Sequence, residues 1–381
     1  MKPHKLPELH AAPEAPLRSE LFSAVQMERH GKALAGGHKL RPAPLPWRAR
    51  DRLLTRLTGN EGLLVAAGEL LTAAVTAGRG IAPAGEWLLD NFHLIEEQVR
   101  TAKRHLPRAY SRELPRLKTG PSAGLPRAYD IALEAISHGD GRLDAESLLR
   151  FVAAYQTVTP LKLGELWAIP IMLRLALIEN LRRVAARIAA GTAERDLADG
   201  WAERMIEIAG RDPKSLILAT ADMARSGPPM ASSFVAELAR RLQGQGAALA
   251  LPLTWMEQRL AEDELTIEQL VQAETREQAA DQVSVSNSIG SLRFLGATDW
   301  REFVEAMSVV EQTLREDPVY GQMDLATRDR YRHVVERLAK ASPLSEGEVA
   351  REAIRLARDA HVGVYLIGSG RPQLEAAARV R

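Results

Sequence analysis

The chain has 381 residues, is 46% hydrophobic and 26% charged, and carries a formal net charge of +1. That is ample material for a large core, and the interspersed acids and bases argue against a nucleic-acid binder with its basic stripe. With no cysteine present, disulfides, thiolate chemistry and cysteine-ligated zinc or iron–sulfur centres are excluded.

Residues 1–46 carry repeated Pro and His with little periodicity and read as a flexible Pro-rich lead-in, with one short helix over 19–30. From residue 47 onward the pattern is helical, without alternating β-branched runs. Helices are predicted at 48–58, 60–78, 84–104, 124–138, 143–157, 161–189, 193–209, 212–225, 231–243, 252–262, 267–282, 299–315, 325–340, 346–361 and 371–379. The expected fold is therefore all-α, an irregular multi-helix bundle of about 14–16 helices with no sheet. An N-terminal bundle over 47–243 and a C-terminal bundle over 244–381, packed on it, are expected to meet at GQGAALALP, 244–252.

Ser345 with Glu348 and Thr266 with Gln269 read as capping boxes, and Asp299 with Glu302 as an acidic version. Gly191, Gly210 and Gly227 each follow a periodic run, as a left-handed stop prefers. Segment 161–189 is apolar nearly all round and belongs at the centre of its bundle. Pro170 inside it predicts a kink, or two helices meeting there. Glu69 interrupts the apolar run 62–78, and Pro170, Arg174 and Glu179 interrupt 166–181, so neither offers a clean membrane span. A cytoplasmic chain without direct membrane insertion is expected.

In EWLLDNFHLIEEQVR, 86–100, Leu88, Phe92, Ile95 and Val99 share one helical stripe. Asp90, His93 and Glu97 fall on the opposite side. Their spacing permits a metal or acid–base cluster, but a face opposite the core reads first as solvated. Asn91 and Gln98 lie beside the stripe and require buried partners. Two similar loop phrases, LPRAYSRELPRL and GLPRAYD, supply Arg108, Tyr110, Arg127 and Tyr129, either as interface residues or as ties between loops and helix ends. Trp167, with Trp87, Trp255 and Trp300, reads as core rather than as a sugar-stacking platform. Asn287 and Arg293 in SVSNSIGSLRFLGATDW join the candidate interaction residues. Glu311 falls inside the apolar face of helix 299–315, and Arg328 inside that of 325–340. A hairpin would bring them level as a buried pair, with Arg332 as the alternative partner. No glycine-rich phosphate loop, HExxH or GxSxG occurs. With 49 acidic residues, no glycosidase pair can be singled out. No catalytic, cofactor-binding or metal residue is nominated.

Five phrases carry a family likeness: GEWLLDNFHLIEEQVRTAKRHLPRAYSRELPRL (85–117), GELWAIPIMLRLALIENLRR (164–183), SVSNSIGSLRFLGATDWREFVEAMSVVEQTLREDP (284–318), MDLATRDRYRHVVERLA (323–339) and AHVGVYLIGSGRPQLE (360–375). They closely resemble the N-terminal soluble region of cyclic β-1,2-glucan synthases, very large bacterial inner-membrane glycosyltransferases. The resemblance implies a non-catalytic module at the cytoplasmic face of the inner membrane. It would support the membrane glucosyltransferase of the same synthase, which polymerises glucose from UDP-glucose. No cofactor is implied for this chain itself, and its partners would be that transferase or further copies of the chain. A free-standing helical scaffold and an α/α-toroid enzyme acting on β-glucan are the alternatives.

Overall fold

The computed structural model describes residues 14–41, 52–106 and 113–380. They form α1 (Ala24–Gly37), α2 (Arg52–Thr76), α3 (Pro83–Asp90), α4 (Phe92–His105), α5 (Arg127–His138), α6 (Ala145–Gln156), α7 (Leu163–Arg211), α8 (Leu216–Ser226), α9 (Ser232–Leu242), α10 (Ala250–Ala261) and α11 (Ile267–Ala297). Then follow α12 (Trp300–Met307), α13 (Val309–Leu314), α14 (Pro318–Gly321), α15 (Leu325–Lys340), α16 (Glu346–Leu356), α17 (Gly363–Leu366) and α18 (Arg371–Ala377). The architecture is an irregular all-α bundle. Among the described residues its extended structure is one antiparallel pair, β1 (Leu40–Arg41) on β2 (Arg116–Leu117), too short to make a sheet.

The axis of the molecule is α7, 49 residues long and therefore about 70 Å at 1.5 Å per residue. Two predicted helices, 161–189 and 193–209, are one. Pro170 removes an N–H and frees the carbonyl of Leu166, yet Leu166, Ile169 and Leu173 are all buried and packing carries the helix through. Gly191 and Gly210 also lie inside α7, and only Gly227, with φ of 61°, is a left-handed stop. Helices α2, α5, α9 and α11 pack along α7.

Elsewhere the chain breaks where continuity was predicted. Segment 84–104 divides at Asn91 into α3 and α4, and 299–315 divides at Ser308, whose hydroxyl caps α13 by accepting from Glu311 N. Conversely, α11 runs fifteen residues past its predicted end at 282. Its extension places Ser284, Ser288 and Ser291 on a buried face. Asn180 of α7 donates to Ser284 and Ser288, both at 3.1 Å, and accepts from Leu17 N at 2.9 Å. Small hydroxyls carry little apolar signal, which is why this helical half was missed. Both predicted capping boxes form, at Ser345 and Thr266, while Asp299 accepts from Arg301 N.

Apolar packing gathers into three clusters. The first joins the chain up to Ala189 with Val285–Leu295 of α11 and with α12. Cluster two runs from Ala198 to Ile267, and cluster three from Val310 to Ala378. Leu242 and Met256 flank segment 244–252 and Leu249 lies inside it, all within the second cluster, so apolar packing does not divide there. It divides along α7 and α11, which each serve two clusters, and at Ser308. The lead-in also differs from expectation where it is described: α1 starts at a Ser23 capping box, buries Met27, Gly31 and Ala35, and packs on α6. No helix among the described residues is long and apolar enough to cross a membrane.

Candidate functional site

The start of α7 is the most elaborated concave site. Arg127 stands in the first turn of α5, not in a loop. Its guanidinium grips Glu165 of α7 through two hydrogen bonds of 2.6 Å, and donates to Pro160 O at 2.9 Å. Both side chains are almost fully buried. Such a bidentate pair fixes the angle between two helices as well as their contact. Glu165 also accepts from Lys162 N at 3.0 Å, which satisfies one of the free N–H groups at the helix start. Another comes from far away in the chain: Leu163 N donates to Glu346, in the first turn of α16, at 2.7 Å.

Burial, with Glu336 and Glu165 nearby, pushes the Glu346 carboxyl above its ordinary range. A cavity of about 900 Å³ opens here, between the first and third apolar clusters. Its walls carry Lys162, Lys340 and Arg351 as well as Glu113, Glu336 and Glu346. Glu336 pairs with Lys340 at 3.0 Å. Glu165 is saturated by Arg127, and Glu346 is the carboxyl in this cleft that burial pushes up. Chemically, the cleft suits a ligand or peptide carrying both signs of charge.

The sequence candidates fall elsewhere for the most part. Asn91 sits at the α3–α4 break, donating to Trp87 O at 2.9 Å and accepting from Arg293 at 2.7 Å, so two of the candidates meet. Gln98 accepts from the buried Arg174 at 2.7 Å, and burial pushes that guanidinium down. Tyr129 is buried near Glu179 and Arg56, and burial drives its phenol up. Asn287 donates to Asp140 O at 3.1 Å. Trp167 is half-buried against the first cluster, with its Nε1 buried and unbonded. Arg108 and Tyr110 lie outside the described residues. Asp90, His93 and Glu97 are exposed, as a solvated face would be. Trp87 is 40% exposed rather than core. One residue before the buried Leu88, it points about 100° away from it.

Glu311 and Arg328 do meet, at 2.6 Å, but inside a network rather than as a pair. Arg332 donates to Glu311 at 2.8 Å, Arg315 at 2.8 Å and the Tyr320 hydroxyl at 2.7 Å. Glu305 adds a second carboxylate to Arg315, Arg328 and Arg332. Burial pushes Glu311 up, but these hydrogen bonds and charges hold it below the usual carboxylate range.

A second network went unread. Glu179 of α7, fully buried, accepts from Arg56 at 2.9 and 2.7 Å, Asn60 at 2.8 Å, Arg182 at 2.9 Å and Arg183 at 3.0 Å. Burial opposes its ionisation, yet these partners hold it at about 2. Glu165 and Glu346 were missed as well. The only sequence signal for Glu165 and Glu179 was a charge inside an otherwise apolar helix.

No family model matches the chain. It is 32% identical over 378 residues to the cyclic beta-(1,2)-glucan synthase NdvB of Rhizobium meliloti (strain 1021), a match that takes in 94% of this chain. The chain spans 13% of that protein's length, and is thus similar, along nearly all of itself, to one portion of a cyclic β-(1,2)-glucan synthase.

Proposed function

We propose that this chain is a non-catalytic N-terminal module of a cyclic β-1,2-glucan synthase, acting at the cytoplasmic face of the inner membrane. It supports the membrane glucosyltransferase that polymerises glucose from UDP-glucose. The observation that carries this reading is the extent of the likeness: 94% of the chain against 13% of a synthase. The two buried carboxylate networks support it too, because Glu179 and Glu311 are committed to arginines and hold helices together. We assign the contact with the transferase to the cleft at the start of α7, where both signs of charge surround a protonatable carboxyl.

The test has two arms. A synthase lacking this region should incorporate little glucose from UDP-glucose into β-1,2-glucan, and supplying the chain in trans should restore incorporation. Substituting Glu346→Lys should weaken that rescue while leaving the chain folded. A second reading, an enzyme acting on β-glucan, draws on the raised Glu346 carboxyl alone. In the other arm the purified chain is incubated with UDP-glucose and with linear β-1,2-glucan. Product from the chain by itself would overturn the non-catalytic reading.

A further inference from the structure

Two histidines and a glutamate converge at the α1–α5 contact. Glu134 and His138 stand four residues apart on α5 and so share a face. His30 faces them from α1. His30 Nε2 lies 2.7 Å from Glu134 Oε2, and His138 Nε2 lies 3.4 Å from the same oxygen. The three donor atoms all fall within 4.8 Å of one another.

The rings are held in place from behind. His138 Nδ1 lies 2.7 Å from the carbonyl oxygen of Glu20. A carbonyl only accepts, so Nδ1 carries the proton and the lone pair of the neutral ring is on Nε2, facing Glu134. Fixing a ring's tautomer through a backbone carbonyl is how proteins orient a metal-binding imidazole. The Glu20 carbonyl is itself pinned, because Ser19 N donates to Ser137 O and Phe22 N to His138 O. Phe22 stacks on His138, with centroids 3.8 Å apart and planes at 9°. His30 lies parallel to Phe151. None of these residues belongs to the cleft at the start of α7.

We propose that His30 Nε2, His138 Nε2 and Glu134 form a binding site for a divalent transition-metal ion, with Zn²⁺ as the best-suited probe. Two imidazoles and one carboxylate are a zinc-type donor set that leaves a coordination position open. Donors of a tetrahedral ion with bonds of about 2.0–2.1 Å stand roughly 3.4 Å apart. The His138–Glu134 distance already matches, and the His30–Glu134 hydrogen bond opens by about 0.7 Å as the metal replaces its proton. His138 also borders a cavity of about 530 Å³, which gives water access to the open position. The bound ion ties α1 to α5.

Calorimetric titration of the whole chain with ZnCl₂ tests the site. One Zn²⁺ per chain is expected. His30→Ala, His138→Ala and Glu134→Gln should each weaken binding at least tenfold, and His93→Ala, on the exposed face of α4, should not. Glu134→Gln retains a hydrogen-bonding group, so it separates loss of a ligand from loss of fold. Should the variants unfold, Co²⁺ added to the unmodified chain gives the answer. Intense visible bands of a four- or five-coordinate ion are expected. Only the weak bands of the hydrated ion, absence of saturable Zn²⁺ binding, or binding unchanged in folded His30→Ala and His138→Ala chains would overturn the proposal.

Discussion

Glu179 and Glu311 are the same device built in two places. Each is a buried carboxylate gathered by three arginines, at least one of them only three or four residues further along the chain. Glu311 announces itself in the sequence and Glu179 does not. Around Glu311 the helix is amphipathic, so a charge on the apolar face is visibly out of place. Around Glu179 the helix is apolar on every side, and a charge there has no polar face from which to depart. Burial of the partners differs as well. The most buried arginine on Glu311, Arg332, is 1% exposed, whereas the most buried on Glu179, Arg182, is 12% exposed and Arg56 37%. Water can take up the charge of Arg56 if its carboxylate is lost, and cannot reach Arg332.

The largest expected effect follows from that difference. Glu311→Ala should destabilise the protein by about 3–5 kcal/mol, with Glu179→Ala at the low end of the same range, because Arg332, the most deeply buried arginine of the two sites, loses its most buried carboxylate and keeps only Glu305 and Asp329. Urea denaturation of both variants decides the order, and a reversed order breaks the comparison.

Acid should weaken both sites in the same direction. Glu179 is held at about 2, below the ordinary 4.5 of an unfolded glutamate. A depressed carboxylate contributes its full stability above the unfolded value and loses it as the pH falls through the folded one. The loss therefore runs from about pH 5 down to pH 2 and totals about 3–4 kcal/mol, at roughly 1.4 kcal/mol per unit. Glu179→Gln should flatten the stability profile over that window, measured as urea midpoints between pH 7 and pH 3.

A smaller effect distinguishes a network from a pair. Replacing Glu311 and Arg328 together, as Glu311→Leu with Arg328→Met, would be nearly neutral for an isolated pair. Here it strands Arg332 with Glu305 and Asp329 alone, and a residual cost of about 1–3 kcal/mol is expected. A double variant as stable as the parent would reduce the network to a pair.

Glu346 extends the contrast to a carboxyl that burial pushes up. Its ionised form is disfavoured in the fold, so the sign reverses. Glu346→Gln should stabilise the chain at pH 7. The gain should vanish as the pH falls below the carboxyl's own range, which thermal melts at pH 7 and pH 4 will register. The smallest change concerns the outermost acid. Glu14, which contacts Arg182 and Arg183, is 56% exposed, and Glu14→Ala should cost about 0.2–1 kcal/mol. Its counterpart Glu305 is 13% exposed, and Glu305→Ala should cost more by urea titration.

Much of the candidate cleft was illegible beforehand. Arg127 was picked out as a loop residue, but its partner lies 38 positions on, and Glu346 reaches Leu163 across 183. Nothing in the spacing of either residue points to the other. Histidines 30 and 138 lie 108 positions apart at the ends of two predicted helices, and nothing in their spacing brings them together.

Helical character, the capping boxes at Ser345 and Thr266, and the stripe of Leu88, Ile95 and Val99, with Phe92 half-buried beside them, were determined by the sequence alone. The bonds that make a helix, and the side chains that cap it, all lie within about four residues of each other. Tertiary structure decided where helices continue and where they stop. Leu166 and its buried neighbours carry α7 through Pro170, and Asn91 and Ser308 end turns that periodicity would have prolonged. It also decided which charges meet. Arg56 finds Glu179 across 123 residues, and that choice rests on helices docking by area and shape, which no local pattern encodes.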